Sequence, residues 1–317
     1  MSSQAVTNIC DLTLIYNQEN NYSLPKCILE DFLHGKAFGR SEPYTKNELE
    51  NLVQDINDLY QKIISKTQIQ KLKLAIITAG APGAGKTIKL NQDLELNRSN
   101  EGSFAYVCPD DVCLKEMKRT FVKDMTNTDG SKEARLEAYN KWRPGSNAAA
   151  HIILANLIKN ENPFYFGSTS SGPATYKSFE ALKNQGYEIK LIHVSASDEV
   201  RWESIQERDQ TFIQTTEEDV KEKGLLVPQR INDTFLKYAD KIEFYYRDEV
   251  KKDALLAAVW IKNKESSSQK GTLEIIEKTA YEKIKTIHDT TARILQRNDL
   301  FWEKAVEDNS EIKCLPH

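Results

Sequence analysis

Residues 80–87 read Gly-Ala-Pro-Gly-Ala-Gly-Lys-Thr, the G-x-x-x-x-G-K-[ST] spacing of a phosphate-binding loop. The chemistry accounts for each residue type. Backbone N–H groups must face a polyphosphate, and side chains would hold the backbone away, so Gly80, Gly83 and Gly85 keep the approach open, with Ala81, Pro82 and Ala84 completing the loop. Lys86 brings a point charge to the β- and γ-phosphates. The Thr87 hydroxyl suits Mg²⁺, and the helix that follows presents its positive N-terminus to the anion. ATP or GTP is the implied ligand. Residue frequencies alone produce this pattern in roughly one chain of this length in a hundred, or fewer. A glycine-rich turn with a surface lysine would also fit the spacing, but residues 72–79 read as the buried strand that such a loop requires.

The next strand ends Tyr106-Val107-Cys108-Pro109-Asp110-Asp111. Carboxylates at the C-terminal edge of a neighbouring parallel strand reach the same crevice as the loop, where one can take a proton from an attacking hydroxyl. Asp111 is the candidate base. Asp110 is a candidate substrate contact, or equally a turn and helix-cap residue. Arg201 and Arg208 stand two turns apart on one expected helix face. Arg208 is the candidate for neutralising the transferring phosphoryl group and Arg201 a candidate ATP contact, although surface arginines are commonly solvated or paired with acids. The N-K-x-D signature of G proteins and the D-E strand end of motor ATPases are both missing, which favours a small-molecule kinase. His151 and His193 lie in apolar surroundings and are assigned no role.

The elements that must position these residues follow an α/β rhythm. Strands are expected over 72–79, 103–108, 163–167, 188–194 and 241–246. Helices are expected over 45–66, where Thr45 to Glu48 form a capping box, and over 132–160, 173–185, 198 to about 210, and from about 228. Residues 254–262 fit a last strand or a short helix, 264–271 a solvent loop or linker, and 273–304 appended C-terminal helices. The expected fold is a P-loop kinase with a doubly wound, mainly parallel sheet. Its expected divisions are a helical N-terminal extension over 1–70, a kinase core over 71–262, and a linker with C-terminal helices over 263–317.

Composition excludes several classes. The 43 basic and 47 acidic residues are interspersed and give a net charge of −4, unlike the basic footprint of a duplex nucleic-acid binder. The five cysteines lack a C-x-x-C pair, so neither zinc nor a disulfide framework is expected. Residues 1–15 contain no charged-then-apolar leader and 254–261, the longest apolar run, is too short to span a bilayer. A cytoplasmic location is expected, with delivery into another cell without a cleavable signal left open.

In order, the blocks G-A-P-G-A-G-K-T, V-C-P-D-D, Y-F-G-S-T-S-S-G-P-A-T, N-Q-G-Y-E-I-K-L-I-H-V-S-A-S-D-E-V-R and Q-E-R resemble the zeta toxin family of bacterial kinases over roughly residues 72–250. That resemblance implies ATP- and Mg²⁺-dependent phosphorylation of a nucleotide-containing metabolite: UDP-N-acetylglucosamine on its amino sugar, or NAD on its adenosine ribose in an effector-type branch. By position it implies phosphate and Mg²⁺ binding by Lys86 and Thr87, Asp111 as base, Arg208 at phosphate and Thr169 at the acceptor. Ser168 and Ser170 join Thr169 as acceptor candidates. Gly167 stands where the sugar-nucleotide pattern has a glutamate, and the arginine usually found just before Pro228 is missing; Arg230 and Lys223 are candidate replacements. Residues 139–147 look closer to the effector-type branch, and Trp142, Arg143, Ser146 and Asn147 are candidate contacts for a base or ribose. A core tryptophan at a helix-entry turn is the other reading of that stretch. A toxin of this kind implies an inhibitory, antitoxin-like protein. The alternatives in other classes are a nucleotide-dependent switch with a degenerate acceptor site and a polynucleotide-end kinase.

Overall fold

A computed structural model describes residues 26–67, 71–98, 104–172, 174–210, 215–263, 270–297 and 313–314. The chain divides into two compact units, one of residues 1–73, 97–166 and 210–214, the other of residues 74–96, 167–209 and 215–317.

In the first unit, helices α1 (Lys26–Leu33) and α2 (Lys46–Ser65) precede strand β2 (Ala105–Val107), helix α4 (Phe121–Thr126), helix α5 (Lys132–Lys159) and strand β3 (Phe164–Phe166). The two strands pair in parallel. The capping box forms as expected, Thr45 accepting from the Glu48 N–H and Glu48 from the Thr45 N–H. Leu52, Ile56, Leu59, Tyr60 and Ile63 then bury one face of α2.

Helix α5 runs 28 residues with Pro144 inside it. Proline disturbs the helical ladder, and here the Tyr44 hydroxyl enters the opened turn. It receives the Gly145 N–H at 3.1 Å and donates to the Lys141 carbonyl at 2.7 Å, bridging the two groups that an unbroken helix would have joined directly. The Tyr44 and Trp142 rings stack at 4.8 Å. Residues 139–147 are therefore the packed middle of a helix, not an entry turn.

In the second unit, β1 (Leu74–Ala79), β4 (Glu188–Ala196) and β5 (Lys241–Arg247) pair in parallel, with Ala79 beside His193 and Ala196 beside Arg247. β6 (Leu255–Lys262) and β7 (Gly271–Ile275) add antiparallel pairings. Helices α3 (Lys86–Arg98), α6 (Ala174–Asn184), α7 (Asp198–Asp209), α8 (Glu217–Arg230) and α9 (Lys278–Ile294) complete it. Its core includes Ile77, Leu191, Ile192, Val194, Phe244 and Trp260. The fold is thus mixed α/β with mainly parallel strands, as the sequence pattern implied.

Three local expectations change. The helix expected to start near Pro228 starts at Glu217 behind the Thr216 cap and carries Pro228 near its end; the chain then makes a wide helical turn over Ile231–Phe235. Of the two readings of residues 254–262, the strand is the one that forms, from Leu255 to Lys262. Residues 271–275 are also a strand, so the helical rhythm read over 273–304 begins only at Lys278. Pro173, residues 264–269 and the end of that span lie outside the described residues.

Candidate active site

The phosphate loop leaves β1 at its C-terminal end and runs into α3. Gly80, Gly83 and Gly85 have φ of 151°, 81° and 98°, a region costly to residues with a Cβ. Close approach adds to the requirement, because a Cβ on Gly80 would lie 2.4 Å from the Val194 carbonyl oxygen and one on Gly83 2.4 Å from that of Arg201. Lys86 Nζ donates to the Ala81 carbonyl at 3.0 Å, which arches it back over the loop. The half-buried Thr87 sits in the first turn of α3, and its hydroxyl engages no protein group among the described residues. A hydroxyl so placed fits an Mg²⁺ ion.

A second loop is bound to the first. Thr78 on β1 receives the Ser168 N–H and donates to the Ser168 carbonyl, both at 2.9 Å, while Ser170 Oγ donates to the Thr78 carbonyl at 2.8 Å. The Gly80 N–H donates to the Thr169 carbonyl at 3.2 Å. Ser168 Oγ accepts from the Ser170 N–H, so Ser168 and Ser170 shape this loop. Thr169 Oγ1 and Ser171 Oγ face each other at 3.1 Å. Arg230 reaches the same loop, its Nε on the Ser171 carbonyl at 3.1 Å. Lys223 instead pairs with Asp219 at 3.2 Å.

Arg201 departs from its expected role. Its Nε donates to the Pro82 carbonyl at 3.0 Å, one terminal nitrogen to Asp198 at 2.5 Å and the other to the Val220 carbonyl at 2.9 Å. All three guanidinium nitrogens bond to protein, which makes this buried arginine a support of the loop rather than a phosphate contact. Arg208 pairs with its neighbour Asp209 at 3.0 Å and is about a quarter exposed. Arg247, which the sequence reading missed, donates to the Gly83 carbonyl at 3.3 Å. Its position at the end of a parallel strand next to β4 was the signal that could have found it.

Asp110 and Asp111 belong to the first unit, in a wide helical turn over Pro109–Leu114. The Asp111 N–H donates to Cys108 Sγ at 3.4 Å, fixing the start of the turn. Lys115 Nζ reaches Asp111 Oδ1 at 2.6 Å and the Tyr106 hydroxyl donates to Oδ2 at 3.2 Å. Neither partner was singled out from sequence. Burial and the adjacent acids push the Cys108 thiol up to about 12, so it serves here as a neutral cap.

The four candidates on α5 are packing residues. Trp142 donates its indole N–H to Asp124 at 2.7 Å and is almost wholly buried. Arg143 lies 3.9 Å over the Phe38 ring. Ser146 Oγ and Asn147 Nδ2 both donate to the Arg143 carbonyl, at 3.0 and 2.8 Å, satisfying a group near the Pro144 break. These contacts tie the four expected acceptor residues to other parts of the first unit.

A glycine loop between a buried parallel strand and a helix, ended by a lysine and a spare hydroxyl, defines a P-loop nucleotide-binding protein. The zeta toxin family model matches residues 57–269, and the chain belongs to the zeta toxin family, a family of ATP-dependent kinases. No curated protein sequence matches it. Among solved structures, a chain from the PezAT chromosomal toxin–antitoxin system of Streptococcus pneumoniae is 12% identical, with 80% of this chain and 98% of that one covered and a TM-score of 0.51. The AvrRxo1-ORF1:ORF2 complex gives 12%, 88%, 94% and 0.56 in its native form, and 11%, 80%, 81% and 0.53 in its form with ATP. At these identities the likeness establishes the fold. Among the described residues no helix is long and apolar enough to cross a membrane.

Proposed function

We propose that this chain transfers the γ-phosphoryl group of ATP to a ribose or sugar hydroxyl of a nucleotide-containing metabolite, either an NAD-type dinucleotide or UDP-N-acetylglucosamine, and acts as a toxin or effector. The observation that carries this reading is the bond from Gly80 N–H to the Thr169 carbonyl, which joins a hydroxyl-lined loop to the phosphate loop. Donor and acceptor groups are thereby held by one scaffold around β1. Lys86 and the loop amides bind the phosphates, and Thr87 would hold Mg²⁺, which supplies charge neutralisation at the transferring group. Arg208 is assigned to the same charge.

Asp111 is assigned as the base that orients and deprotonates the hydroxyl. Its place after β2 and its hydrogen-bonded carboxylate support that role. Thr169 and Ser171 are assigned to the acceptor, and Arg230 to the acceptor's own phosphates, since its guanidinium edges their loop. Structures of both kinds match at similarly low identity, 12% and 11–12%, and both acceptors stand. The complexes named for PezAT and AvrRxo1-ORF1:ORF2 support an inhibitory protein partner for this chain as well.

The test is acceptor-dependent ADP release by wild type and by Arg230→Met. The account expects the variant to raise KM for a diphosphate-containing acceptor about tenfold while KM for ATP stays unchanged. Unchanged KM for every accepted substrate would remove Arg230 from the acceptor site.

A further inference from the structure

Arg247 ends β5 and is almost wholly buried. Each of its nitrogens donates to a backbone carbonyl: Nε to Glu249 at 3.0 Å, one terminal nitrogen to Gly83 at 3.3 Å, and the other to Val250. Its chain fills the space beside Gly85, where an added Cβ would lie 3.0 Å from Cδ. Glu207 and Glu203 on α7 supply the opposing charge. One side chain therefore ties the phosphate loop to the turn between β5 and β6, and Arg201 ties the preceding carbonyl, that of Pro82, from α7.

Two consecutive peptide planes of the loop are thus gripped at their oxygens. In a trans peptide the N–H of the next residue points opposite to the carbonyl, so gripping the Pro82 carbonyl aims the Gly83 N–H and gripping the Gly83 carbonyl aims the Ala84 N–H. The Ala84 N–H donates to the Ala81 carbonyl at 3.2 Å, the same oxygen that receives Lys86 Nζ at 3.0 Å. A continuous path of hydrogen bonds runs from Arg247 through the Gly83–Ala84 peptide to the catalytic lysine.

We infer that Arg247 is a positioning residue of the phosphate site, setting the orientation of the loop amides and of Lys86 without touching the nucleotide. The three carbonyls are met by three separate nitrogens of a planar fork, and lysine, whose three donors share one nitrogen, is no substitute. The inference rests on the phosphate-loop reading given above.

The test compares full-length wild type with Arg247→Ala and Arg247→Lys in ADP and ATP affinity, in steady-state kinetics, and in hydrogen exchange of residues 80–86 without nucleotide. Losing a charge-assisted bond to the loop is expected to weaken ADP and ATP binding by the same factor, about tenfold or more. KM for ATP rises with it, KM for the acceptor does not, and the loop amides exchange faster. Unchanged nucleotide affinity overturns the inference. So does a loss confined to ATP, which marks direct contact with the γ-phosphate, or a loss confined to kcat, which marks a smaller fraction of folded enzyme. If Arg247→Ala does not fold, Arg247→Lys carries the same outcomes. A wild type that binds neither nucleotide defeats the phosphate-loop reading itself, whereas binding that Arg247→Ala leaves unchanged defeats this inference alone.

Discussion

Single side chains divide here into those that meet phosphate and those that hold other groups in place. Lys86 is assigned to the first kind: positioning and electrostatics supply most of the rate in phosphoryl transfer, so Lys86→Ala should remove nearly all turnover, as measured by ADP release with a saturating acceptor. Asp111→Asn keeps the size of the side chain and its place in the Pro109–Leu114 turn but cannot take a proton. It should lower kcat by about 10² to 10⁴ and leave ATP affinity within about twofold, by direct titration; retained turnover would remove Asp111 as the base. The sequence pointed to Lys86 and Thr87 because motif spacing specifies them, and to Asp111 because it follows a strand expected beside that of the loop. It did not reveal that Arg201 and Arg247 hold main-chain carbonyls of the loop, since a guanidinium that does so has no sequence signature distinct from one that binds solvent or phosphate.

At the scale of elements, the phosphate loop depends on backbone shape. Gly83 and Gly130 both have positive φ, 81° and 77°, yet a Cβ on Gly83 meets the Arg201 carbonyl while one on Gly130 meets nothing within 4 Å. Gly130→Ala should cost only the strain of its conformation, about 1–3 kcal/mol. Gly83→Ala should cost more and abolish ATP binding, in denaturant unfolding and nucleotide titration respectively; equal costs would contradict the steric argument. Removing the hydroxyl that bridges the break in α5, in Tyr44→Phe, should destabilise by about 1–3 kcal/mol by leaving the Gly145 N–H unsatisfied. Long or strongly signalled elements were legible: α2 through its capping box, β1 and β4 through apolar runs. β7 was hidden because Thr272-Leu273-Glu274-Ile275 is too short to separate alternation from helical spacing. Pro228 misled because proline normally marks a helix start or stop, whereas here it lies near the end of a helix that begins at Glu217.

At the scale of the whole molecule, a buried histidine gives stability a pH dependence with a definite sign. His193 on β4 is almost wholly buried, its Nε2 has no hydrogen-bond partner among the described residues, and burial, with His288 and Lys86 nearby, lowers its pKa from 6.5 to about 3. Below pH 6.5 the unfolded chain takes up a proton that the folded chain refuses. The contribution of His193 is therefore complete above pH 6.5 and is lost as pH falls toward 3, on the order of several kcal/mol over that span. His193→Phe, among Phe235 and Phe244, should flatten the dependence of unfolding free energy on pH between 6.5 and 4; identical slopes would contradict the assignment.

The most direct measurement is incubation of the purified chain with ATP, Mg²⁺ and a panel of NAD, UDP-N-acetylglucosamine, nucleosides and short oligonucleotides, read by mass spectrometry for the gain of one phosphate. The account predicts a phosphorylated dinucleotide or nucleotide sugar with wild type and none with Lys86→Ala. Phosphate appearing only on oligonucleotides, or on nothing while ATP is demonstrably bound, would contradict it.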